Sequence, residues 1–224
     1  MKLLALDTSS VACSVAVQIG SKVYSEHEEK PREHTRLLMP MIRALLADAD
    51  IGLSDLDGIV LGNGPGSFIG MRIAASVAQG LAFGANLNIA PVSSMAAIAA
   101  EVSPTGVATV AVAQDAHMQE VYLGLYDVND GAVTDRVPER LQRPEAIKEL
   151  ANIDDCIAAG YGWQRFPALL AANRTHLNVV SEVMYPRAAC LLPLGEKAFR
   201  RGDSVTARDV IPAYLRQEVA AANP

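Results

Sequence analysis

Aromatic residues make up only 5% of this 224-residue chain, and it has three cysteines and four histidines. With so few rings, the apolar half of the composition is mainly aliphatic. The chain is long enough to bury a substantial core, as one large domain or two small ones. Cys13, Cys156 and Cys190 are odd in number, far apart and without a Cys-x-x-Cys pair, which excludes a disulfide framework and a cysteine zinc site. The histidines are dispersed and no His-Glu-x-x-His occurs, so a metallopeptidase has little support. Positive charge is also short. A net charge of −6 and a pI near 5.2 argue against a broad nucleic-acid-binding face acting alone. No apolar run is expected to reach the ~20 residues of a membrane helix. Asp7 ends the apolar Met1-Lys-Leu-Leu-Ala-Leu6 too early for a signal peptide. The expectation is a reduced, cytoplasmic protein with no membrane partner.

Glycine, by contrast, is concentrated where it carries information. Strand-like Asp57-Gly-Ile-Val-Leu-Gly62 runs into Asn63-Gly-Pro-Gly-Ser-Phe-Ile-Gly70, and Ser67 is placed to cap a helix reaching to about Gly84. A glycine-rich loop opening onto a helix N-terminus suits an anion. The stretch lacks the Gly-Lys-Ser/Thr ending of a Walker loop, and a tight strand-to-helix turn explains it equally well. Along the helix, Ile69, Ile73, Val77 and Leu81 recur every four residues, beside a small row of Gly70, Ala74, Ala78 and Ala82. Each row lies along one flank. The bulky row suits a core; the small row suits either burial or the close approach of a second helix.

The remaining pattern is α/β in two similar halves, with a boundary expected at Ser103-Pro-Thr-Gly106: residues 1–104, then the second half, 105–224. The first half opens with strand Lys2–Asp7, a hydroxyl-rich turn at Thr8-Ser9-Ser10 and returning strands to Glu26, a β-meander. Asp7, Thr8 and Ser9 could hold a phosphate with its metal ion or water, or form an ordinary hairpin with an Asx-type turn. A helix follows over 34–47, with Leu37, Leu38, Met41, Ile42, Leu45 and Leu46 as an apolar stripe. Pro40 predicts an irregular first turn. His34 could do chemistry, although a lone histidine there more commonly bonds at the start of a helix. The second half repeats the theme: strand 107–113, an Asp115-containing turn, strand 120–126 and its continuation at 132–134. Helices are expected near 144–151, over 163–172 and over 187–201, the last ending in Lys197, Arg200 and Arg201.

Six blocks then appear in order: Leu4-Ala-Leu-Asp-Thr-Ser-Ser10, His34-Thr-Arg-Leu-Leu38, Gly64-Pro-Gly-Ser-Phe-Ile-Gly-Met-Arg72, Val92-Ser-Ser-Met95, Asp115-Ala-x-x-x-Glu-Val-Tyr122 and Pro212-x-Tyr-Leu-Arg216. Together they resemble the TsaB (YeaZ) family across essentially the whole chain, with Ile69 and Met71 standing where that family usually has Thr and Leu. The resemblance implies the duplicated actin-like ATPase and sugar-kinase fold (ASKHA, ribonuclease H-like). It also implies a role in tRNA threonylcarbamoyladenosine (t6A) synthesis as the non-catalytic partner of the related catalytic subunit TsaD and the ATPase TsaE. The assembly transfers a threonylcarbamoyl group to N6 of the adenosine beside the anticodon.

The catalytic relative carries a His-x-x-x-His metal pair on the helix that here begins Ser93-Ser-Met-Ala-Ala-Ile98. Serine and alanine cannot replace paired imidazoles, so no catalytic and no metal-binding residue is assigned. The expected docking surface, which would also close a homodimer when the partner is absent, comprises Leu38, Met41, Ile42, Leu45, Arg72, Ile73, Ala74, Ala78 and Ala82. No cofactor is required by this chain, although ATP or ADP could sit within the complex, with Asp7, Thr8, Ser9 and Asp115 as candidate nucleotide contacts. Contact with tRNA is expected only through the complex. Competing readings are an active ATPase or phosphotransferase built on those four residues and, less well supported, a metallopeptidase-like protein.

Overall fold

The structure, a computed structural model, describes residues 1–102, 105–146, 150, 153 and 155–216. Two five-stranded mixed sheets carry the chain. The first is built from β1 (Lys2–Asp7), β2 (Ala12–Ile19), β3 (Lys22–Glu29), β4 (Gly58–Gly62) and β5 (Ile89–Val92), in the order β3-β2-β1-β4-β5. The second is built from β6 (Val107–Asp115), β7 (Val121–Asn129), β8 (Ala132–Gln142), β9 (Cys156–Ala159) and β10 (Leu177–Val180), in the order β10-β9-β6-β7-β8. Each sheet is an antiparallel meander of three strands continued by two parallel ones. The topology is therefore repeated, with β1 and β6 in equivalent central positions.

Helices α1 (His34–Asp48) and α2 (Phe68–Ala85) cover the outer face of the first sheet, where Leu38, Ile42, Ala74 and Ala78 meet Leu4, Leu6 and Ile59. On the second sheet's outer face, α4 (Tyr161–Arg165) and α5 (Pro167–Asn173) bury Trp163 and Leu169 against Ala111, Leu123 and Leu125. Between the sheets lie α3 (Ser94–Val102) and α6 (Ala188–Arg201). Although α3 belongs to the first half in sequence, Met95 and Ile98 pack on Val110, Val112 and Tyr126 of the second sheet. Conversely, Leu191 and Leu192 of α6 pack on Leu3, Ala5 and Val60 of the first. Strands covered on both faces can be apolar throughout, and β1 has only Lys2 incompletely buried. Each fully buried Leu or Ile contributes roughly 1.5–3 kcal/mol relative to exposure.

Several expectations need adjustment. The helix predicted irregular in its first turn is continuous through Pro40; Pro40 and Arg36 are both exposed, so water can take the carbonyl that loses its donor. The helix expected over 163–172 is two short ones broken at Phe166, because Pro167 opens the second. Near 144–151 only a 3₁₀ turn, Pro144–Ala146, falls on described chain; residues 147–149 and 151 lie outside the described residues. So do 103 and 104, within the expected boundary. Finally, α2 comes closer to a membrane span than expected: its 18 residues, at a mean hydropathy of 1.3, are long and apolar enough by length and composition. Here its small row, Ala74, Ala78 and Ala82, is buried in the core of the first half.

Candidate functional site

The two central strands each end in an aspartate followed by a turn of the same kind. Asp7 Oδ1 accepts from Ser9 N at 2.7 Å, and Asp115 Oδ1 accepts from His117 N at 2.9 Å. These are Asx-type turns. Their surroundings differ. Asp7 also accepts from the Ser9 hydroxyl at 2.7 Å and, through Oδ2, from the Ser94 hydroxyl at 2.6 Å, while Ser94 Oγ accepts from Gly64 N at 3.0 Å. Burial pushes the Asp7 carboxyl above its ordinary value, and the bonds from Ser94 and Ser9 oppose that shift. The carboxylate is 1% exposed. It pins β1, the glycine-rich loop and the start of α3 to one another.

The loop itself is packed down onto this turn. Ser67 N donates to Ser9 O at 2.6 Å, Thr8 Oγ1 donates to Gly70 O at 2.7 Å, and Ser67 Oγ caps α2 by accepting from Gly70 N at 3.2 Å. A Cβ at Gly70 would overlap Thr8 O, and one at Gly62 would overlap the Asp7 carboxylate, so glycine is needed here for close approach. The tight-turn reading of the loop and the Asx reading of Thr8-Ser9-Ser10 both describe this geometry. As a nucleotide cradle the arrangement does not fit: Asp7 and Thr8 are sealed, and the Thr8 and Ser9 hydroxyls already donate within the chain.

The second turn is open. His117, Met118 and Gln119 are three consecutive left-handed residues, and the His117 side chain is largely exposed. Among the described residues Asp115, 18% exposed at its side chain, has beyond its Asx bond two ion pairs, with His117 Nδ1 at 3.7 Å and Arg165 Nε at 3.8 Å. Ser9 and Asp115 both line a cavity of about 620 Å³ between the halves, to which α1 contributes His34 and the second half contributes Tyr161 and Tyr185. Asp7 and Thr8 do not line it. Burial holds the His34 imidazole below its ordinary value, opposed by a hydrogen bond to the Ser10 backbone. Its Nδ1 is buried without a hydrogen-bond partner among the described residues.

Most of the residues expected at a docking surface are placed inside the chain. Leu38, Met41, Ile42 and Leu45 of α1 and Ala74, Ala78 and Ala82 of α2 are all core residues, none more than 6% exposed. The reason is rotational: the small row of α2 faces the sheet, which lets the helix pack closely, so the bulky row turns outward. Ile69 is 70% exposed, Phe83 72%, and Ile73, Val77 and Leu81 are half-buried. Arg72 is exposed, and a groove between Thr35 of α1 and Ile69, Arg72, Ile73 and Val77 runs along this face.

Sequence reasoning assigned no role to the segment 211–216, which ties the two halves together. Ala213 N donates to Asn63 O and Asn63 Nδ2 to Ile211 O. Arg72 lies 3.3 Å over the Phe68 ring and donates to Tyr214 Oη at 3.0 Å, while Arg216 bridges to Ala116 O and Glu120. Partners 142 and 100 residues apart in sequence leave no local signal. Among the described residues no group of three or more His, Cys, Asp or Glu is positioned to hold a metal ion.

Residues 20–223 match the family described as TsaD, tRNA N6-adenosine threonylcarbamoyltransferase. Two relatives named tRNA threonylcarbamoyladenosine biosynthesis protein TsaB are similar over 98% of this chain: that of Haemophilus influenzae, 36% identical with 95% of its length covered, and that of Escherichia coli K12, 35% identical with 96% covered. The solved structure of YeaZ from Pseudomonas aeruginosa superimposes with a TM-score of 0.87 at 38% identity, covering 96% of this chain and 99% of that one. With its doubled meander, its packed glycine-rich turn and these relatives, the chain belongs to the TsaB (YeaZ) family, within the wider TsaD-type family.

Proposed function

We propose that this protein is a non-catalytic, activating subunit of the machinery that makes t6A, required for threonylcarbamoyl transfer to N6 of the adenosine next to the anticodon in tRNAs reading codons that begin with A. It docks on the catalytic relative TsaD, acts together with the ATPase TsaE, meets tRNA only through that complex and works in the cytoplasm. Its fold is the actin-like, ASKHA type, which the repeated meander order of the two sheets supports. The names of its relatives support the pathway. The Ser94-Met95-Ala96-Ala97-Ile98 start of α3, without an imidazole, supports a subunit that contributes no metal ligand.

The observation that carries the docking reading is the outward face of α2. Phe68, Ile69 and Phe83 are exposed on one element, with Ile73 and Val77 beside them. Aliphatic and aromatic anchors flanked by an exposed Arg72 have the composition of an interface centre. In this reading the same face closes a homodimer when the catalytic relative is absent, so the two assemblies compete. Light-scattering chromatography of the chain alone, and mixed with its own organism's catalytic relative, is the test. The expected result is a homodimer that converts to a mixed complex, with Ile69→Asp remaining folded by circular dichroism but losing both assemblies. A folded Ile69→Asp variant that still forms the mixed complex would remove α2 from the interface.

A further inference from the structure

We infer that the cavity between the two halves is a binding site for a small organic cation, an amine on an apolar or aromatic body, rather than for a phosphate group. The cavity, about 620 Å³, has the size of a small-molecule site. Its walls are largely apolar, with Val11, Ile69, Ile73, Met95 and Ile98 among them. At one side stand Tyr161 and Tyr185, ring centroids 5.7 Å apart and inclined by 35°. The two rings pack against each other, and an electron-rich face left free by the pair attracts a cation laid over it.

The charges and donors agree. Asp115 lines the same cavity with 18% of its side chain exposed, and among the described residues its ion pairs with His117 and Arg165, at 3.7 and 3.8 Å, are too long to be hydrogen bonds. A partly desolvated carboxylate favours a cation that can donate to it. The Tyr185 phenol is held above its ordinary value first by burial and then by Tyr161, Glu29 and Asp115. The permanently charged lining residues are Arg32 and Asp115; Arg32 is exposed to water, where its attraction for an anion is screened. On the first-half wall, Ser67 N, Ser9 Oγ and Ser94 Oγ donate to Ser9 O, Asp7 and Asp7 respectively. A phosphate there would have to displace those bonds.

The test uses the isolated chain and follows Asp115, Tyr161 and Tyr185, which line the cavity but lie outside the α2 groove assigned to docking. The ¹⁵N-labelled protein is titrated at neutral pH with tryptamine, tryptophol and indole-3-acetate, which share one ring and carry a positive, no and a negative charge, and with MgATP. The expected order has tryptamine tightest, at a Kd of about 1 mM or below, and indole-3-acetate and MgATP at least about tenfold weaker. Chemical-shift changes should centre on Gln114, Asp115, Tyr161 and Tyr185. Asp115→Asn, whose amide oxygen can still accept from His117 N, should bring tryptamine to the affinity of tryptophol. Tyr185→Leu should weaken both. Tighter binding of MgATP or indole-3-acetate, shifts centred elsewhere, an Asp115→Asn variant that binds tryptamine unchanged, or no binding of any probe below about 10 mM would each overturn the inference.

Discussion

The two halves use one topology and one aspartate turn to opposite ends. In the first, the turn after β1 is clamped by the glycine-rich loop, its carboxylate takes three hydrogen bonds, and it is sealed from water. In the second, the turn after β6 is held chiefly by its own backbone bond, bends through three left-handed residues and faces the cavity. Repetition of strand order thus fixes where an aspartate sits, while the packing of the loop that follows the fourth strand decides whether it is a structural pin or an accessible group. The first-half loop continues into an 18-residue helix with a small inner row; its second-half counterpart is two short helices interrupted at Phe166.

The largest expected difference lies between the two aspartates. Asp7→Ala leaves Ser9 N, Ser9 Oγ and Ser94 Oγ without their acceptor inside the protein, and should cost about 3 kcal/mol. Asp115→Ala, losing one turn bond beside water, should cost no more than about 1 kcal/mol. Urea denaturation of both variants measures this, and equal costs would mean that the halves are not differently built. A finer test lies within α2. Gly70→Ala forces a Cβ onto Thr8 O and should destabilise by about 1–3 kcal/mol. Gly80→Ala meets open space and should stabilise by up to about 1 kcal/mol. A neutral Gly70→Ala would show that the loop can lift away from the turn.

The smallest effect is a pH slope. Burial lowers the His34 value in the folded state, so the unfolded chain binds the proton more readily. This contribution is fully present above the unfolded value near 6.5 and is lost as pH falls through the folded value. Thermal melts from pH 7 to 5 should therefore show a shallower loss for His34→Gln than for the unsubstituted chain, with His27 common to both. Parallel curves would mean that the His34 environment is no drier than that of the unfolded chain.

The strands, the glycine-rich turn, the serine cap of α2 and the family were legible in the sequence because each is written in adjacent residues. Period-two and continuous apolar runs mark strands, glycines mark close approach, and six ordered blocks carry the resemblance. The rotation of α2 was not legible. Four-residue spacing defines two flanks, but only the neighbouring sheet decides which one is buried, and here close packing selected the alanines over the larger aliphatics. The crossing of α3 and α6 onto opposite sheets, the 211–216 segment that ties the halves and the tyrosine pair at the cavity were likewise decided by tertiary structure. Their partners lie far apart along the chain, and a local pattern records what a segment can form without recording what it will meet.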